Sequence, residues 1–209
     1  MAAIWNRLRY TFWAPAYDAI ATAAGFDDAR RRSIERLELE PGHRLLIAGA
    51  GTGLDLEFIP RDVEITAIDV TPAMLGRLQE RAERAHRHVL ARIMDARTLA
   101  FADGSFHAVV MHLILAVMPD PTRGLQEAER VLRPGGRIAV FDKFLRDDQR
   151  PSVRRRLLNV VAKPLFSDMN RRLGPLVQAT RLTIEHDEPV AFGGMYRIAT
   201  LRKPAARQG

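Results

Sequence analysis

Between residues 45 and 53 the chain reads Leu45-Leu46-Ile47-Ala48-Gly49-Ala50-Gly51-Thr52-Gly53, an unbroken aliphatic stretch giving way to three glycines on alternate positions. A strand that is apolar without alternation has to be covered on both faces, the situation of a central strand in a parallel sheet. Glycines at its carboxyl end let the backbone turn sharply toward the next helix and let a ligand approach the main chain. A second aliphatic run, Ile65-Thr66-Ala67-Ile68, closes on Asp69. As the neighbouring parallel strand, it sets a carboxylate beside the same crevice.

Parallel strands need crossover connections, and the rest of the chain alternates accordingly. The patterns predict strands at 44–49, 64–69, 89–94, 106–112 and 136–143, and helices at 27–37, just after Gly53, at 72–84 and at 121–132. Thr71-Pro72 marks a helix start, with threonine at the cap and proline at the first helical position. Residues 182–190 and 195–202 read as closing strands around Gly193-Gly194. Trp5, Leu8 and Phe12 have helical spacing near the N-terminus, where Pro15 interrupts the pattern, and 147–180 read as an arginine-rich helical insertion.

With 209 residues, 47% of them hydrophobic, the chain suits one domain with a sizeable core. It has no long uncharged apolar run and no leader pattern, so a cytoplasmic protein is expected. Cysteine is absent, and the six histidines form no recognisable metal-ligand spacing, so no metal is expected. Three of the 32 basic residues are lysine, leaving 29 arginines and a formal net charge of +7. The arginines cluster at Arg30-Arg31-Arg32, at Arg150 with Arg154-Arg155-Arg156, and at Arg171-Arg172. No cluster is interleaved with the aromatics of a single-strand nucleic-acid platform, so a nucleic-acid partner is not expected.

The glycines are spaced Gly-x-Gly-x-Gly, one residue shorter at the third position than the dinucleotide fingerprint, for which Leu54 and Leu56 occupy the required positions. This spacing resembles motif I of the class I S-adenosylmethionine (SAM) dependent methyltransferases. The resemblance continues through Asp69, through Met94-Asp95-Ala96 at the end of the third strand, and through Asp103-Gly104-Ser105-Phe106-His107-Ala108-Val109-Val110 at the turn into the fourth. It extends to the helix and turn from Glu127 to Gly136, ending Val131-Leu132-Arg133-Pro134-Gly135-Gly136. It implies an α/β fold with a Rossmann-like, seven-stranded, mostly parallel sheet, helices on both faces and an antiparallel last strand. It also implies one methyltransferase domain over 1–209: an N-terminal helical cap or membrane-docking segment (1–40), a SAM-binding core (44–145), a helical lid insertion (147–181) and closing strands (182–203).

The same resemblance implies residue roles. Gly49, Ala50, Gly51 and Gly53 line the methionine moiety, and Asp69 accepts the ribose hydroxyls. Val70, Thr71 and Met74 flank the adenosine, while Asp95 and Ala96 hold the adenine edge. S-adenosylhomocysteine is the implied product. The family usually has an acid two residues before the first glycine to meet the methionine ammonium, and this chain has Ile47 there. Asp55 is the candidate replacement; alternatively it is simply an acid favoured near a helix N-terminus. His112, just past the fourth strand, is expected either near the transferred methyl or packed at a strand end. Tyr17-Asp18 resembles the Tyr-Asp pair ahead of motif I in quinone C-methyltransferases and soluble-type bacterial phosphatidylethanolamine N-methyltransferases. Tyr17 then either caps the cofactor or is an aromatic staple.

Acceptor choice turns on chemistry. Carbon methylation of a quinol needs a base for the ring hydroxyl, whereas an amine needs only a neutral lone pair and an exit for its proton. The segment Leu113 to Pro121 resembles the phospholipid family, and Gly193-Gly194-Met195 resembles both groups. Aromatics beside arginines in residues 2–20, and cations beside apolar residues in 150–166, suit an anionic membrane surface; equally, the two segments suit helical lids over a small apolar acceptor. Three functions are expected in order: N-methylation of phosphatidylethanolamine or a related lipid amine, peripherally at the inner membrane face; methylation of a quinol or other small apolar acceptor; and SAM binding without turnover.

Overall fold

The computed structural model describes residues 26–145 and 171–205. The strands are β1 (Arg44–Ala48), β2 (Glu64–Asp69), β3 (Val89–Ile93), β4 (Phe106–His112), β5 (Leu132–Lys143), β6 (Thr183–Ala191) and β7 (Tyr196–Arg202). They form one seven-stranded sheet in the order β3-β2-β1-β4-β5-β7-β6. β1 pairs in parallel with β2 and β4, and β7 is antiparallel to both β5 and β6. The mostly parallel sheet expected from the alternation is therefore present, and the antiparallel strand is wedged between β5 and β6.

Helices α1 (Phe26–Glu35), α2 (Pro72–Arg84), α3 (Pro121–Val131) and α4 (Leu173–Gln178) accompany the sheet. Alternate residues of each central strand enter opposite cores. Leu46, Val109, Met111, Ile138 and Val140 pack with Leu125, Val131 and Leu176. Leu45, Ile47, Ala108, Val110 and Ala139 pack with Ile34, Leu75 and Leu78. Coverage on both faces is why β1 can be continuously aliphatic.

Boundaries differ from the sequence reading in instructive places. β5 starts at Leu132 rather than near 136, because Leu132 pairs with Phe106 before a register shift carries the ladder on to Ala108 and Arg137. The turn after Gly53 is a 3-10 helix, Leu54–Phe58, with Asp55 and Leu56 buried. At α2, Thr71 and Pro72 hold the expected places, but Thr71 makes no side-chain cap hydrogen bond.

Candidate functional site

The site is built on the carboxyl ends of β1, β2 and β4. Gly49, Gly51 and Gly53 take φ values of 72°, 53° and 82°, the left-handed region that disfavours other residues. The amides of Gly49 and Ala50 both donate to the Ile68 carbonyl, at 2.9 Å each, fastening the loop to the end of β2. A Cβ on Gly49 collides with Ile114, whereas one on Gly51 meets nothing within 4 Å. Gly51 thus keeps open the space into which a ligand can press.

Asp69 closes β2 against this loop. One carboxylate oxygen accepts the Gly51 amide at 3.0 Å and the other the Thr71 amide at 2.8 Å, which aims the group at the crevice and leaves lone pairs for further donors. Burial raises its pKa, against the opposing effect of those amides. Val70 beside it is 39% exposed, whereas Thr71 and Met74 are buried where α2 begins. Asp95 accepts from the guanidinium and the backbone amide of Arg97, and the charge-assisted bonds to Arg97 hold its pKa below the ordinary value. Ala96 is buried next to it.

Asp55 and His112, far apart in sequence, meet. Oδ1 of Asp55 accepts from Arg30 Nη1 at 2.6 Å and lies 2.8 Å from His112 Nδ1; His112 Nε2 lies 3.1 Å from the Ser33 hydroxyl. The Asp55 and Arg30 side chains are each 5% exposed and His112 is 1% exposed. Although burial opposes ionisation, Arg30 and His112 together hold the Asp55 carboxyl well below the usual range. Asp55 is thus enclosed by α1 and the end of β4, and both nitrogens of His112 are engaged. Tyr17 lies outside the described residues.

Three participants escaped the sequence reading. Arg30 and Ser33 were legible in one respect: with Phe26, Ala29 and Ile34 they occupy the helical spacing of the buried face of α1. Within the run Arg30-Arg31-Arg32, Arg30 reads only as part of a basic cluster. Ile114, which packs against Gly49, follows a residue in the left-handed region, Leu113 at φ 56°, and nothing local announces that bend.

Aromatic side chains cluster beside the end of β5. Phe26 packs edge-on to Phe141 with centroids 5.1 Å apart and lies 4.6 Å from Tyr196. Phe192, at the β6–β7 turn, touches both Phe26 and Tyr196 while remaining 64% exposed. The Leu145 amide donates to the Arg171 carbonyl and the Phe144 amide to the Met195 carbonyl, so residues 145 and 171 lie together near this cluster.

A mostly parallel sheet whose first strand ends in a glycine loop facing an acid on the next strand defines a Rossmann-like nucleotide-cofactor site. Residues 46–140 match the family described as a methyltransferase domain. The chain is 30% identical over 179 residues to a phosphatidylethanolamine N-methyltransferase of Cereibacter sphaeroides, an alignment covering 85% of this chain and 88% of that protein. It is 38% identical over 130 residues to a demethylmenaquinone methyltransferase of Corynebacterium efficiens, covering 60% and 54%. Geranyl diphosphate C-methyltransferase from Streptomyces coelicolor, solved with S-adenosyl-L-homocysteine, shares the fold at TM-score 0.71 and 15% identity over 84% and 76% of the two chains. The chain belongs to the class I SAM-dependent methyltransferases; it is an enzyme, and SAM is its cofactor. The open space at Gly51 and the amide-held carboxylate of Asp69 fit that cofactor.

Proposed function

We propose that this enzyme N-methylates phosphatidylethanolamine or a related lipid amine at a membrane surface. The observation that carries this reading is the burial of His112, with Asp55 on one ring nitrogen and Ser33 on the other. A quinol hydroxyl needs a base within hydrogen-bond reach, and His112, the base expected nearest the reaction, is committed elsewhere. An amine acceptor asks less: a neutral lone pair held in line. The length of the alignment with the Cereibacter enzyme supports the same choice.

SAM supplies a methyl group already activated on a sulfonium, so positioning and exclusion of water supply most of the acceleration. Gly49, Ala50, Gly51 and Gly53 let the backbone approach the methionine portion. Asp69 accepts the ribose hydroxyls; Val70, Thr71 and Met74 flank the adenosine, and Asp95 with Ala96 meets its base. Asp55, two residues past Gly53, is assigned to the ammonium end in place of the acid that Ile47 replaces, and His112 holds Asp55 in place. Tyr17 closes the pocket from the N-terminal segment. The exposed Phe192 and the roots of the segments before Phe26 and between Leu145 and Arg171 adjoin one aromatic edge, which suits an apolar acceptor entering there. Segments 1–40 and 147–181 serve as cap and lid, and residues 2–20 and 150–166 seat the enzyme on anionic lipid. No helix among the described residues is long and apolar enough to cross a membrane, so attachment is peripheral on this reading.

Turnover with methyl-labelled SAM against a lipid extract and a quinone panel tests the acceptor. Label in mono- and dimethylated phosphatidylethanolamine is the expected result. Label confined to quinones overturns it, and SAM binding without transfer to either favours a non-catalytic role.

A further inference from the structure

The loop after β4 is gripped by a residue that the cofactor crevice does not itself explain. Asp142, near the end of β5, is 1% exposed. Its Oδ2 accepts the Ala116 amide at 2.8 Å and its Oδ1 accepts the Lys143 amide at 2.7 Å. Loop residues 113–118 are held on other sides as well: the Leu113 amide donates to the Phe141 carbonyl at 2.6 Å, and the Arg171 guanidinium donates to the carbonyls of Leu115 and Met118. The held loop then places Ile114 against Gly49, where a Cβ would collide with it. A chain of contacts therefore runs from the Asp142 carboxylate through Ala116 and Ile114 to the first glycine of the crevice.

We propose that Asp142 is a positioning residue that clamps the 113–118 loop over Gly49 and thereby sets the affinity of the crevice for SAM. It acts through the loop and touches no reacting atom. This rests on the cofactor assignment and not on the identity of the acceptor.

A purely structural contact would be expected to add to stability. At neutral pH the burial of the Asp142 charge works against the contribution of its two hydrogen bonds. Burial raises its pKa from 3.8 to about 6, against the pull of the two amides, Lys143 on its own strand and Arg171 before α4; on β7, Arg197 is in register with it and pairs with Asp187, and Tyr196, one residue along, is itself pushed up to about 12 by burial and by Asp142. A carboxyl with a raised folded-state pKa favours the folded state less as pH rises from about 4 to 6, and above that the full cost of burying the charge is present. A buried charge kept where it organises a cofactor wall fits a functional constraint.

The test is Asp142→Asn at pH 7.5, with three readouts: melting temperature, amide hydrogen exchange across 113–118 in the ligand-free protein, and the SAM dissociation constant by calorimetry. The amide side chain carries no charge and accepts only one of the two backbone amides. The expected result is a melting temperature close to that of the wild type, because removal of the buried charge offsets the orphaned amide, faster exchange at 113–118, and SAM binding weaker by about tenfold, the scale of a lost charge-assisted hydrogen bond. Wild-type exchange and affinity overturn the proposal. So does a variant that melts far below the wild type or fails to fold, because Asp142 is then a structural anchor. Methylation of an unexpected acceptor overturns the acceptor assignment and leaves this result standing.

Discussion

Gly49 and Gly51 share a left-handed backbone, yet their surroundings separate a packing role from a ligand role. Alanine at either position pays a backbone penalty of about 1 kcal/mol. At Gly49 the added methyl also meets Ile114, so Gly49→Ala is expected to lower unfolding free energy by a further 1–3 kcal/mol, roughly the cost of overpacking, and to weaken SAM binding. At Gly51 the methyl meets nothing. Gly51→Ala should therefore unfold in urea within about 1 kcal/mol of the wild type while losing most SAM affinity by calorimetry; unchanged affinity would make the loop a folding turn only. Asp55 offers a second residue-scale test. Its carboxyl is held below 3.8 by Arg30 and His112, so the stability it contributes is present above about pH 4 and is lost as pH falls through the depressed folded-state value. Asp55→Asn leaves Arg30 buried opposite a neutral group, and a cost of about 3–5 kcal/mol at pH 7 is expected. Urea titrations from pH 7 to pH 3 should show the gap between variant and wild type narrowing toward the acid end. A constant gap would mean that the ion pair is not the source. SAM affinity that survives Asp55→Asn would remove Asp55 from the cofactor.

At the scale of elements, α3 earns its place through Glu127 and Arg130. Glu127 is buried and accepts the Leu99 amide at 2.8 Å, while Arg130 forks onto Glu127 and donates to the carbonyls of Leu99 and Phe101 and to Asp103. The loop leading from Asp95 into β4 is thus hung from one helix. Arg130→Ala is expected to destabilise the fold by about 2–4 kcal/mol, because it leaves Glu127 and two carbonyls without a main partner. Chemical denaturation measures that loss; SAM affinity of the folded fraction, followed separately, should fall less than in Gly51→Ala. Elements with a strong period were legible in the sequence: the 64–69 and 106–112 strands and the 72–84 helix have the expected bounds. The start of β5 was not, because Pro134-Gly135 reads as a turn while the ladder reaches back to Leu132 by a register shift. A bulge is decided by the partner strand and leaves little trace in its own residues.

Across the whole molecule, the start of the described chain and residues 145 and 171 gather at one edge, while Lys203 lies at the amino end of β5. Phe26, Leu145, Arg171 and the exposed Phe192 all lie near the carboxyl ends of β4 and β5. The sheet order supplies this arrangement by returning β7 between β5 and β6. On the membrane reading, the protein should float with anionic vesicles and not with zwitterionic ones, and float less once residues 1–13 are deleted. Binding indifferent to both lipid charge and the deletion would sink surface docking while leaving methyl transfer intact. Raising the salt should weaken the wild-type interaction, since surface cations near the headgroups contribute roughly 1 kcal/mol each and are screened.

Much of this protein was determined by local pattern. Continuous aliphatics, alternate glycines and a strand-ending acid specify a parallel sheet and a nucleotide crevice, because each follows from backbone sterics or from coverage of both sheet faces within a few residues. The partners of the charged groups were not available at that range. That Arg30 turns inward to Asp55, that His112 has its nitrogens occupied by Asp55 and Ser33, and that Asp142 grips the Ala116 amide depend on residues 25, 57, 79 and 26 positions apart. A charged side chain reads as solvated until the fold places it where water is absent and one specific partner is in reach. Only the tertiary structure made that placement.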